Sequence, residues 1–200
     1  MQSLPSDASI AVGQPIGSFF IAEWAGVNPS NGRSMWYDIN GNYTYTPAAA
    51  DRKFLGSIYP KQVGGWNNTL SYKGFSADVF FQYEYGRTRI DGQYQQMMRM
   101  AGATVNTLRY GYETRWQKPG DVAATPRAFN GLADYNSSGW GSGSRYLFKT
   151  DYIRLKQITL GYDITQALCN RLHIDGAKFY VQGLNLWTYT EWNSYDPEFT

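Results

Sequence analysis

The chain has 200 residues, a single cysteine and a formal net charge of +2. That length can bury a domain-sized core, one cysteine excludes an internal disulfide, and so small a charge makes no electrostatic case for nucleic acid. Aromatic residues make up 17% of the chain and charged residues another 17%, the latter below the roughly 25% of ordinary soluble domains.

From the N-terminus, MQSLPSDASI has neither the basic start nor the apolar centre of a signal peptide. That fits a cytosolic chain or a piece of a longer precursor. No run of about 20 apolar residues predicts a transmembrane helix. Mean hydropathy is negative, which suits a soluble protein but also a membrane β-barrel, whose strands are apolar on one face only.

The aromatic stretch 17–26 is the first predicted strand, with ambiguous sidedness. A second strand covers 66–72. Only Lys73-Gly74 separates it from a third, 75–85, a hairpin-length turn. The third alternates most cleanly, with Phe75, Ala77, Val79, Phe81, Tyr83 and Tyr85 on one face. Helical spacing of Tyr94, Met97, Met98, Ala101, Val105 and Leu108 predicts a helix over 93–108. A fourth strand spans roughly 147–164, with Ile158, Leu160, Tyr162 and Ile164 alternating against Gln157, Thr159, Gly161 and Asp163. A helical stub is expected around 166–172 and a fifth strand over about 176–188.

The connections alternate between long (26–63, 86–146) and short (73–74, 165–175). Long loops opposite short turns are the pattern of outer-membrane barrels. A β-sandwich with functional loops at one end produces it too, and pattern alone leaves both open. Five strands cannot close a membrane barrel, so in the barrel case this chain is an arc of the wall.

Ordered stretches then carry a family resemblance. They are VGQPIGSFF (12–20), AGVNPSNGRSMWYDINGN (25–42), DRKFLGSIYPKQVGGWNNTLSYKGFSADVFFQYEYG (51–86), RWQKPGDVAATPR (115–127), DYIRLKQITLGYDI (151–164), FYVQGLNLWTYTEW (179–192) and YDPE (195–198). In this order they resemble the C-terminal part of SusC/RagA-family TonB-linked outer-membrane transporters. The motif residues are Gly64, Gly65, Asn185, Asp196, Pro197 and Glu198.

The resemblance implies that residues 1–200 are an incomplete, all-β, antiparallel up-and-down arc of a large transmembrane barrel in the cell outer membrane. Its plug domain and final strand would lie outside this chain. It implies import of oligosaccharides or peptides, a SusD-like lipoprotein partner, energy from TonB acting through the absent N-terminal region, and no enzymatic activity. In this picture 17–24, 75–85 and 176–188 run outward, and 66–72 and 150–164 run inward. Odd positions of 75–85 and even positions of 66–72 and 156–164 face lipid. Asp78, Gln82 and Glu84 then face the lumen, toward substrate, plug or water. Trp66, Tyr85, Trp187 and Tyr189 are expected at the membrane interface, with stacking on sugar rings at a loop base as the other reading, and Arg154 and Lys156 at or above the outer boundary of the lipid-facing strand.

Other chemistry is weaker. Asp38, Asn40 and Asn42 faintly suggest a calcium loop, but Tyr43 and Ala49 stand where glycine and glutamate are needed, so Asx turns explain the stretch better. GWGSGS (139–144) lacks the lysine and strand–helix context of a phosphate loop. With His173 the only histidine, no triad or histidine-rich metal site is expected. No catalytic residue, metal or cofactor is assigned. A secreted or soluble carbohydrate-binding β-sandwich remains the alternative, as does a surface adhesin or passive porin.

Overall fold

The computed structural model describes residues 8–98, 100, 106–128 and 143–198. In chain order the elements are β1 (Ala8–Ser9), β2 (Ser18–Ala22), β3 (Trp24–Val27), β4 (Ser34–Tyr37), β5 (Tyr43–Thr44) and β6 (Arg52–Ser57). The long hairpin β7 (Gln62–Tyr72) and β8 (Phe75–Tyr85) follows. Then come β9 (Thr88–Ile90), α1 (Gly92–Met97), α2 (Arg109–Glu113) and β10 (Leu147–Lys149). The chain continues with β11 (Tyr152–Asp163), α3 (Gln166–Leu172) and β12 (Lys178–Thr190). All strand pairs are antiparallel, and no sheet closes on itself among the described residues.

The chain forms two compact units. The first, Met1–Tyr59 with Thr88–Lys149, holds three small sheets. Its core includes Phe19, Ile21, Trp36, Met98 and Tyr146. Here the expected strand 17–26 is divided. β2 joins β1 and β6, whereas β3 joins β4 and β5, and the change falls at Glu23, whose carbonyl accepts the Tyr37 N–H at 2.9 Å. Segment 17–24 is therefore not a strand of the four-stranded sheet. The physical reason lies in its two-sided burial. Ser18, Phe19, Ile21 and Ala22 are all buried, so both faces of β2 are covered. A wall strand would leave one face open.

The expected helix over 93–108 is also shorter. Asp91 caps α1 by accepting the Tyr94 N–H at 2.9 Å, and the helix ends at Met97. Residues 106–108 are not helical, and 99 and 101–105 lie outside the described residues. The long connections 26–63 and 86–146 contain short strands and helices of their own.

The second unit, Pro60–Arg87 with Thr150–Thr200, is built on one sheet in the order β12-β11-β8-β7. The hairpin turn puts Lys73 at φ 47° and Gly74 at φ 86°, the double left-handed geometry of a tight hairpin. The expected strand 147–164 is interrupted at Thr150–Asp151. There the Asp151 carboxylate accepts the Gly86 N–H at 2.6 Å and the Arg87 N–H at 3.2 Å, tying the start of β11 to the end of β8. The stub α3 occupies the expected residues. It ends on His173 at φ 56°, a left-handed C-terminal cap, so the lone histidine is a turn residue.

Candidate functional surfaces of the four-stranded sheet

Direct cross-strand partners define each face of this sheet row by row. At one end of one face, Tyr72, Phe75, Tyr162 and Phe179 form an aromatic row, with the Phe75 and Tyr162 rings 4.5 Å apart. The next row is Leu70, Ala77, Leu160 and Val181, and above it come Asn68, Val79, Ile158 and Gly183. Trp66, Phe81, Leu155 and Trp187 follow, then Gly64, Tyr83, Ile153 and Tyr189, and finally Gln62 with Tyr85. No Asp, Glu, Lys or Arg occurs in these rows. Leu70, Phe75, Leu160, Phe179 and Val181 are exposed, so the face is uncovered at these positions among the described residues.

The residues expected together on one face of 75–85, 66–72 and 158–162 do share a face, but the grouping fails above Ile158. A β-bulge between Leu155 and Gln157 shifts the register of β11, and one extra residue reverses the side on which every later side chain falls. Leu155 and Ile153 therefore continue the apolar face. Arg154 and Tyr152 pair with Gln82 and Glu84 on the opposite one. The expectation that Arg154 and Lys156 mark the outer end of the apolar face is overturned: strict alternation was carried through a bulge.

The facing strand is irregular at the same level. Asn185, one of the motif residues, sits at φ 50°, a left-handed conformation that asparagine tolerates better than most residues. The motif glycines have a steric account. A Cβ on Gly64 would lie 2.7 Å from the Tyr83 ring, and one on Gly65 would lie 2.8 Å from the Phe80 ring. Each glycine lets an aromatic side chain of β8 lie across β7.

The opposite face is polar. Asp78, Gln82 and Glu84 share it but make separate contacts. Asp78 accepts from Thr69 Oγ1 at 2.6 Å, Gln82 donates to the Tyr152 hydroxyl at 3.1 Å, and Glu84 pairs with Arg87 at 2.7 Å. The expected interface aromatics all lie on the apolar face. Trp66 and Trp187 share a row, and Tyr189 and Tyr85 lie in successive rows beyond. Trp66 is mid-strand, because β7 begins at Gln62. The aromatic row at the opposite end escaped the sequence reading, although Tyr72 and Phe75 flank the hairpin turn.

The polar face also carries an ionic clasp that sequence spacing did not reveal. Arg154 is 5% exposed. Its guanidinium meets Asp196 Oδ1 and Glu198 Oε2, each at 2.6 Å, and donates to Thr188 Oγ1 at 2.8 Å. Lys156 Nζ reaches the two Glu198 oxygens at 2.6 and 2.7 Å. Asp196 additionally accepts the Glu198 N–H at 2.9 Å, an Asx turn around Pro197. The Arg154 hydrogen bond holds the Asp196 carboxyl below the ordinary carboxylate range. The motif Asp-Pro-Glu thus has a geometric role: its proline fixes the turn, and its two acids grip β11.

Nothing resembling a metal centre appears among the described residues. In the stretch once compared with a calcium loop, Asp38 accepts the Asn40 and Asn42 N–H groups at 2.8 Å each and the Asn42 amide at 3.2 Å. These bonds, that from Asn42 foremost, hold its carboxyl below the usual range, as an Asx turn requires.

No family model matches the chain. Among curated proteins it is similar to TonB-dependent receptor P3 of Formosa agariphila, with 27% identity over 93% of this chain and 19% of that protein. TonB-dependent receptor P39 of the same organism is 28% identical over 84% of the chain and 16% of its own length. The chain thus resembles a segment of TonB-dependent receptors and spans about a fifth of the length of these relatives, which are receptors rather than enzymes.

Its particular likeness is to RagA. The structure of the RagAB peptide transporter superposes with a TM-score of 0.82 and 26% identity, covering 98% of this chain and 22% of that one. A second structure, of the RagAB peptide importer in the open-open state, gives a TM-score of 0.79 over 99% of this chain and 21% of that one. TonB-dependent receptors are outer-membrane proteins.

Proposed function

We propose that β7, β8, β11 and β12 form part of the transmembrane wall of a TonB-dependent outer-membrane transporter. The uncovered, charge-free face carries this reading. It has an aromatic row at one end, aliphatic rows between, and Trp and Tyr rows at the other end, as a lipid-facing band with two aromatic girdles would. From Gln62 to Tyr72 is ten residue rises. At about 3.4 Å each and a tilt of about 40°, they span about 25 Å, the height of such a band. Trp66, Tyr85, Trp187 and Tyr189 then belong to its outer half, and Tyr72, Phe75, Tyr162 and Phe179 to its inner girdle.

Asp78, Gln82 and Glu84 face the interior, where they brace the wall through Thr69, Tyr152 and Arg87. The edge strands β7 and β12, long and unpaired on their outer sides among the described residues, take neighbouring strands from elsewhere in the receptor. The plug and the TonB-binding region belong to other parts of the same receptor.

The cargo class is peptides or oligosaccharides, delivered with a SusD-like lipoprotein. The likeness to RagAB favours peptides. Deleting the receptor gene and measuring uptake of defined peptide and oligosaccharide mixtures tests this. TonB-dependent peptide uptake should disappear, and a SusD-like lipoprotein should co-purify with the wild-type receptor. Undiminished uptake of both classes would overturn the reading.

A further inference from the structure

We infer that Arg154 and Lys156 are positioning residues: they strap the segment after β12 back onto the polar face of the sheet. Strand β12 ends at Thr190, which pairs with Tyr152. Glu198 nevertheless meets Arg154 and Lys156, two and four positions further along β11. The chain leaving β12 therefore turns back far enough for the Glu198 carboxylate to reach the Arg154 guanidinium, which also bonds Thr188. It does not stand clear of the sheet as a free loop.

Three local features make the strap. The bulge in β11 lets residues 154 and 156, which strict alternation would place on the apolar face, both reach the same carboxylate. Thr188 on β12 fixes the Arg154 guanidinium from the side. The Asp196-Pro197-Glu198 turn presents both acids toward the strand. Releasing the segment would leave Arg154 in its recess without either acid, and stranding one partner of a buried ion pair is strongly unfavourable. Two cations meet two anions, so the strap also leaves that part of the face without net charge. The inference rests on the wall reading for one point only, that this face looks into the barrel interior. The strap then holds the segment after β12 inside the mouth.

The test is amide hydrogen exchange on the full-length receptor in nanodiscs. With Arg154→Met, peptides covering 191–198 should exchange about ten-fold faster or more, while β8 and β11 stay as slow as in wild type. Arg154→Lys should restore part of the protection. Should Arg154→Met fail to assemble, the pair Asp196→Asn with Glu198→Gln removes the acidic end without touching a strand, and the same release is expected. Unchanged slow exchange over 191–198 in the assembled variants would overturn the strap. Rapid exchange throughout β7, β8, β11 and β12 of the wild-type receptor would overturn the wall reading instead, so the two failures are distinguishable.

Discussion

The two units handle apolar residues in opposite ways. The first buries them in its own core: Phe19 is 1% exposed and Ile21 fully buried, although the strand that carries them is only five residues long. The second has strands more than twice that length, yet leaves Phe75 and Phe179 each about two-thirds exposed, at 63% and 67%. A soluble domain rarely tolerates so large an uncovered apolar patch. The exposed aliphatic residues of the first unit, such as Ile10, Val12 and Val122, lie outside its strands rather than along one sheet face. In the proposed wall, hydrocarbon covers the charge-free face of the second.

The most forceful way to break this comparison is to remove one phenylalanine from each unit. Phe19→Ala should cost about 3–5 kcal/mol of local stability, read as faster exchange in peptides 18–22 and 52–57. Phe75→Ala, which empties no cavity, should cost less than about 1 kcal/mol. Comparable costs at both sites would erase the distinction.

A charge sharpens the contrast between faces of the same sheet. Ile158→Arg should destabilise the assembled receptor by about 2–4 kcal/mol, since its row is the third of six and lies near the middle of the band. Thr159→Arg, one residue away on the polar face, should cost within about 1 kcal/mol. Heat resistance of the folded receptor on gels measures both. Smaller again is the backbone effect at Asn185. Asn185→Val should lose about 1–2 kcal/mol from its left-handed conformation, and Asn185→Gly nearly nothing; the same assay ranks them.

The weakest expected effect concerns pH. The Asp196 carboxyl is held below its ordinary value of 3.8 by Arg154. Its contribution is therefore present above that value and lost only as pH falls through the lowered one. A fluorine label at Tyr195 should report an unchanged segment from pH 7 to 5 and release only below about 3.8. Release near pH 6 would mean that Arg154 does not hold this carboxylate.

Much of the second unit was legible in the sequence because period-two alternation is strong there. The bounds of β8 and α3 follow directly from Phe75–Tyr85 and Gln166–Leu172. What escaped was non-periodic. The bulge beside Lys156 adds one residue without any glycine or proline to announce it, so alternation puts Arg154 on the wrong face. The clasp joins residues more than forty positions apart, and nothing local in Asp-Pro-Glu says which cations it grips. In the first unit, 17–26 reads as one aromatic strand. Only the competing partners β4 and β6 reveal that it divides at Glu23.

The lipid-facing assignment and the bulge can be tested together. Nitroxides placed singly along β11 in the receptor reconstituted in bilayers would be probed with oxygen, which enriches in lipid, and a water-soluble nickel complex. Expected are oxygen maxima at Ile158, Leu160 and Tyr162, shifting phase to Leu155 and Ile153, with nickel maxima at Gln157, Thr159 and Arg154. Equal nickel access on both faces, or an even-numbered oxygen phase running unbroken through Arg154 and Tyr152, would contradict the placement of this sheet.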